Sequence, residues 1–198
     1  MKKINFDQFK LKKIDISELD DRMLLINLYG TQGFILLVGL VIMLIQRRNP
    51  LGLFDYPQLL PVLLWGVAFA AAVLIVDMLI SRYVPEEILD DGGVNEMLFA
   101  RRPLWHIAVI SLVVSLSEEI LFRGAIQHSW GAYWTSILFA AIHIRYLQHW
   151  LMTGLVFCIS YGLGWIYMQT GTLWTPIVAH FVIDFMMGCI LRFRREKT

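Results

Sequence analysis

Apolar residues do not alternate with polar ones along this chain. They gather into six long runs, at residues 24–45, 59–80, 104–122, 133–147, 151–167 and 173–191. A bilayer core takes about 20 mostly apolar residues per spanning helix. Runs of this length exceed ordinary strands, so they predict helices. The expectation is an all-α, multi-pass transmembrane bundle of about six spanning helices. Two polar stretches interrupt it. The first 22 residues, MKKINFDQFKLKKIDISELDDR, carry only a few apolar positions near helical spacing and read as a surface or interfacial segment. No short apolar region with a small-residue cleavage site follows, so no cleaved signal peptide is expected. Residues 81–103 form a polar linker holding Pro85, Glu86, Glu87, Asp90, Asp91, Gly92 and Gly93. The linker divides the chain into 1–103, with the surface segment and two helices, and 104–198, with four helices expected to enclose a polar cavity. There is no internal repeat and no low-complexity tract.

Composition agrees with a membrane protein. Hydrophobic residues make up 58% and charged residues 17% of the 198 positions, against roughly 45–50% and about 25% in soluble domains. Disorder is excluded and an ordinary soluble enzyme disfavoured. Cys158 and Cys189 lie in apolar runs, leaving no disulfide framework and no paired-cysteine zinc knuckle. A net charge of +1 gives no case for nucleic acid. The distribution of charge says more. With six spans, the side holding both ends collects fourteen of the seventeen Lys and Arg, and the other side holds Arg47 and Arg48. The positive-inside rule therefore predicts cytoplasmic termini, in a cell membrane. Aromatic residues near run ends (Tyr29, Trp105, Trp130, Trp150, Tyr167 and Trp174) suit interfacial anchors.

Ionisable groups break the apolar rule in the back half. Glu118, Glu119 and Arg123 close the third run, His143 falls in the fourth, and His180 and Asp184 lie inside the sixth. A charge at mid-membrane costs about 2.5–3.5 kcal/mol, so such groups pair, face water or do chemistry. Glu119 and Arg123 are four apart and share a helix face, where they form an ion pair. Glu118 is rotated about 100° from Glu119 and is left to point elsewhere. His180 and Asp184 are four apart, a spacing that lets the carboxylate fix the imidazole tautomer. Phe139 sits four before His143 and would give that ring an apolar wall. Each has a plainer structural reading: a self-neutralised pair at a helix end, or a packing histidine. Polar groups on three separate helices favour a site. No H-E-x-x-H, G-x-S-x-G or G-x-x-x-x-G-K-[ST] occurs. What remains suits activation of a water, with a carboxylate as general base and imidazoles or a metal stabilising the oxyanion.

These residues carry a resemblance. Glu118-Glu119-Ile-Leu-Phe-Arg123 is similar to the E-E-x-x-x-R motif of the CPBP family, the CAAX prenyl proteases and bacteriocin-processing proteins also called the ABI family. Phe139-Ala-Ala-Ile-His143 resembles its F-x-x-x-H motif, and His180-Phe-Val-Ile-Asp184 its H-x-x-x-[ND] motif. All three occur in order, over residues 104–191. The resemblance implies an intramembrane endopeptidase acting on a peptide or protein substrate among membrane lipids. It implies Glu118 as the base that activates water, Glu119 and Arg123 as orienting groups, and His143, His180 and Asp184 as the groups that bind the water or a metal and stabilise the oxyanion. Two histidines and a carboxylate would also make a zinc shell with an open position, and the sequence leaves metal-bound and metal-free water both open.

Cutting a peptide bond at depth needs water there, so a water-filled pocket is expected among the third, fourth and sixth helices. Pro176 either sits in the first turn of its helix, with Thr175 as N-cap, or kinks it. Gly154, Gly162 and Gly164 allow close packing of the fifth helix. Counting about 1.5 Å per residue places Glu118 and His180 nearer the non-cytoplasmic face, which favours small secreted peptides over a cytoplasmic prenylated C-terminus. The competing readings are a non-proteolytic module for peptide immunity or regulation, and a proton-coupled transporter. The missing repeat symmetry and the few helices weigh against the transporter.

Overall fold

A computed structural model describes residues 20–55, 59–85, 88–89 and 93–195. The surface segment expected at the N-terminus therefore lies almost wholly outside the described residues, as do Glu86, Glu87, Asp90, Asp91 and Gly92 of the linker. Helix α1 spans Asp21–Ile45, with the Asp20 side chain accepting from the Arg22 N–H at 3.2 Å. Helix α2 spans Leu59–Tyr83. The linker contains a short helix, α3, at Val94–Phe99, whose Leu98 and Phe99 are buried. Pro103 precedes α4, Leu104–Glu119, which runs into a π-helical stretch, Ile120–Ile126, and then α5, Gln127–Ile142. Helix α6, Trp150–Thr170, ends at Gly171, and α7 covers Trp174–Arg195. Pro176 thus falls in the first turn of α7, where a missing N–H costs nothing. The helix begins one residue before Thr175, with Ile177 N–H bonded to the Leu173 carbonyl at 3.0 Å.

Among the described residues, five helices are long and apolar enough to cross a membrane, the longest being the 39-residue stretch Leu104–Ile142. That stretch is not straight. Phe122 and Phe139 would lie about 25 Å apart along a continuous helix, yet their ring centroids are 4.8 Å apart. The chain reverses at Gly131, whose backbone (φ 71, ψ 168) is open essentially to glycine alone. Residues 104–130 therefore make the third pass and 132–142 the shorter fourth, so six runs become five long helices and one fold-back. The third run extends past residue 122 because its polar residues find buried partners. Arg123 reaches Glu119 and Ser160, and Gln127 donates to the Gly164 carbonyl at 3.0 Å. The fourth pass stops at Ile142, and residues 144–146 form a 3-10 turn.

Contacts fix which ends share a face. Arg102, just before α4, pairs with Asp21 of α1, and its carbonyl accepts from Arg192 of α7. At the opposite face, Gln46 and Arg48 donate to the carbonyls of Ala125 and Gly124, and Leu173 N–H bonds the Leu53 carbonyl at 2.8 Å. Both described ends of the chain thus lie at one face, called here the terminal face. The half of the bundle at the opposite face is filled by Met43, Leu53, Ile120, Ala125, Leu173 and Ile177. Helices approach closely at glycines: a Cβ on Gly39 would lie 3.0 Å from the Leu121 backbone, and one on Gly66 3.0 Å from the Thr175 carbonyl. Gly162 and Gly164 make such contacts with Phe69 and Gln127, whereas Gly154 faces open space. Outward-facing Phe34, Leu37, Leu64 and Trp65 are exposed, as a lipid-facing surface requires.

Candidate active site

The last two residues of α4 and the π-helical stretch after it carry the first cluster. Glu119 is fully buried and meets two nitrogen-bearing side chains. One oxygen lies 3.1 Å from Arg123 Nε, and the other 2.8 Å from His180 Nδ1. Arg123 is also fully buried. Its Nη2 donates to the Ser160 carbonyl at 2.7 Å and to the Ser160 hydroxyl at 3.0 Å, and its guanidinium lies 5.3 Å from the Phe139 ring centre. On α7, His180 Nε2 lies 3.5 Å from Asp184 Oδ2. The imidazole is therefore held between two carboxylates from different helices. The i, i+4 pairs Glu119–Arg123 and His180–Asp184 form on the faces that their spacing sets.

Glu118 takes a different direction from Glu119. It accepts from Gln32 Nε2 of α1 at 3.3 Å, and the Gln32 carbonyl oxygen takes the Ser117 hydroxyl. His143 ends α5. Its Nδ1 lies 2.6 Å from the Phe139 carbonyl, so that nitrogen carries the hydrogen and Nε2 is the acceptor. The Phe139 ring lies beside the imidazole, 4.5 Å between centroids. Nothing in the sequence marks Gln32, Ser117 or Ser160 as site residues. Uncharged polar residues scattered through apolar runs give little signal, although Gln32 and Asn27 are the two amides inside the first run.

Glu118, His143, His180 and Asp184 all line one cavity of about 710 Å³. It is wider than the pocket expected among three helices, because α1, α2, α3 and α6 also supply wall, most of it apolar: Leu28, Phe69, Val73, Leu98 and Leu155 are examples. Its floor lies at Gln32 on α1, Glu118 on α4 and His180 on α7. No lining residue on these helices lies closer to the opposite face. Asn27, Asp77, Asn95 and Arg145 extend the lining toward the terminal face, and Leu163 of α6 reaches deeper, between the contacts that Ser160 and Gly164 make with Arg123 and Gln127. Glu118 and His180 are deep, as counting along the helices indicated, but the cavity that reaches them opens toward the far side. Depth alone misleads about the face of entry, because side-chain packing, not distance, closes one end.

Residues 100–186 match the family described as type II CAAX prenyl endopeptidase Rce1-like. The Bacillus subtilis protein YpbD, described as uncharacterized, is of the same family and is 39% identical over 153 residues, covering 76% of this chain and 80% of its own length. This chain belongs to the Rce1-like family. It is a protease family. The Lactococcus lactis UPF0177 protein YxdF is 23% identical over 137 residues, 65% of this chain and 76% of that protein. No solved structure matches the chain. The Rce1-like segment contains all six ionisable residues described above, whereas Gln32 and the other cavity walls from α1 and α2 precede it.

Both ring nitrogens of His180 face carboxylate oxygens, and no three His, Cys, Asp or Glu side chains among the described residues converge as a metal shell requires. As placed, these residues do not fit a zinc site.

Proposed function

We propose that the chain is an intramembrane endopeptidase in which Glu118 activates water. The reading rests on one observation: of two adjacent buried carboxylates, Glu119 is committed to Arg123 and His180, and Glu118 lines the cavity. Water held between Glu118 and the acceptor Nε2 of His143 attacks the scissile carbonyl carbon, and Glu118 takes its proton. The carbonyl π electrons move to oxygen. Two ionised carboxylates facing one imidazole call for a hydrogen on each nitrogen, so His180 is an imidazolium and its charge opposes the forming oxyanion. The intermediate then collapses, the C–N bond breaks, and the proton passes from Glu118 to the leaving nitrogen. Arg123 neutralises Glu119, and Asp184 orients His180.

The apolar wall suits an apolar peptide segment. We place the protein in the cell membrane with its termini in the cytoplasm, from the charge distribution. The cavity then opens toward the cytoplasm, and a CAAX-type C-terminal segment becomes a better fit than a secreted peptide. The test uses the parent and Glu118→Gln in detergent with a library of membrane-soluble peptides, read by mass spectrometry with and without chelator. The parent cleaves in both conditions. The variant retains fold and peptide binding and loses about 10²–10⁴-fold in rate. Identical product profiles from both proteins would replace this reading with the non-proteolytic immunity or regulatory module. Loss of cleavage in chelator would bring a metal into the site.

A further inference from the structure

Several titratable groups lie around Glu118: Glu119 and Arg123 on its own helical stretch, and His143 from the end of α5 with His180 and Asp184 from α7 on the same cavity wall. The hydrogen bond to its carboxylate comes from none of these. It comes from Gln32, an uncharged residue on α1 that is itself buried and 86 positions away. Burying an amide in a membrane helix is costly unless its donors and acceptor are met. Here the Gln32 carbonyl oxygen is met by the Ser117 hydroxyl, one residue before Glu118.

Hydrogen counting fixes the orientation of this triad. An ionised carboxylate only accepts, so the amide must present its NH₂ to Glu118 and its carbonyl to Ser117. The Ser117 hydroxyl has one hydrogen and two further acceptors nearby, the carbonyls of Val113 at 2.7 Å and Val114 at 3.2 Å. Turning that hydrogen to Val113 would leave the Ser117 oxygen as an acceptor. A half-turn of the amide then satisfies it and presents the carbonyl to Glu118, an arrangement satisfied only when Glu118 is protonated. The first arrangement has the charge-assisted bond and is the stronger, so the triad favours the ionised base while still offering the protonated one a partner.

We propose that Gln32 is a positioning residue for Glu118. Its amide holds one carboxylate oxygen, leaves the other for water in the cavity, and follows the proton as it arrives and departs. The proposal rests on the hydrolytic reading and goes beyond it by bringing the first helix, outside the family-matched segment, into the site.

The test measures kcat and KM against pH for the full chain, Gln32→Leu and Ser117→Ala. The probe is a fluorogenic version of a library peptide that the parent cuts. In Gln32→Leu we expect kcat to fall roughly 10- to 100-fold with KM within about twofold. The rising limb of the pH profile moves up by about one unit, and Ser117→Ala moves it less in the same direction. A residue that only packed would leave the limb in place, and an unmoved limb overturns the proposal. A parent that cleaves nothing overturns the hydrolytic reading instead. Gln32 is then tested by infrared titration of the carboxyl band absent in Glu118→Gln. A midpoint moved upward in Gln32→Leu supports the proposal, and an unmoved one overturns it.

Discussion

Arg123 is a full cation with no solvent exposure in a helix that crosses lipid. It is tolerated because each neighbour answers a part of it: Glu119 takes the charge, Ser160 takes two hydrogen bonds through Nη2, and Phe139 covers the face. Removing one member of a buried pair leaves the other uncompensated. Arg123→Met should lower unfolding stability by about 3–5 kcal/mol, measured by denaturant titration in detergent. Ser160→Ala keeps the carbonyl acceptor and should cost only about 1 kcal/mol. A small effect in Arg123→Met would mean that Glu119 finds another cation. At this scale much of the candidate site was legible in the sequence, because charges inside apolar runs are expensive and helical spacing says which can meet. Gln32 and Ser160 were not. A neutral polar residue in a lipid-spanning run is common, and its partner lies on another helix that spacing does not reach.

Helix lengths were legible and the fold-back was not fully so. The six apolar runs gave six passes, but hydropathy ends the third run at the first dense polar residues, near position 122. The backbone continues to the glycine that can turn it. That glycine carries a prediction. Gly131→Ala forces a side chain into a conformation reserved for glycine and should cost about 1–3 kcal/mol, with activity falling as His143 is drawn out of the cavity wall. Gly154, by contrast, sits in α6 with nothing within 4 Å of a new Cβ. Gly154→Ala should be neutral or stabilise by about 0.5–1 kcal/mol. Thermal unfolding of both variants checks the pair. Equal effects would remove the fold-back from the account of why 132–142 lies against the π-helical stretch.

At the scale of the whole molecule, the terminal face and the opposite face differ in packing. A chain with Cys158→Ser and Cys189→Ser provides a silent background for probing this. On it, Asn27→Cys should react with a membrane-impermeant maleimide added at the face that carries the termini. Ile177→Cys should react from neither side, and its labelling from the opposite face would disprove the closed end. Charge placement in the sequence already paired the two termini on one side. Which end of the cavity is sealed depended on Met43, Leu53, Ile120, Ala125, Leu173 and Ile177 meeting from four separated segments, and no local pattern announces that meeting. The seal has a consequence for the cell that houses it. A hydrolase in a membrane needs water at depth, and a wet path through the bilayer is a leak for protons and ions. A blind well would supply the water from one side while the apolar plug kept ions from crossing, so a membrane hydrolase built on this plan would hold water without discharging an energised membrane.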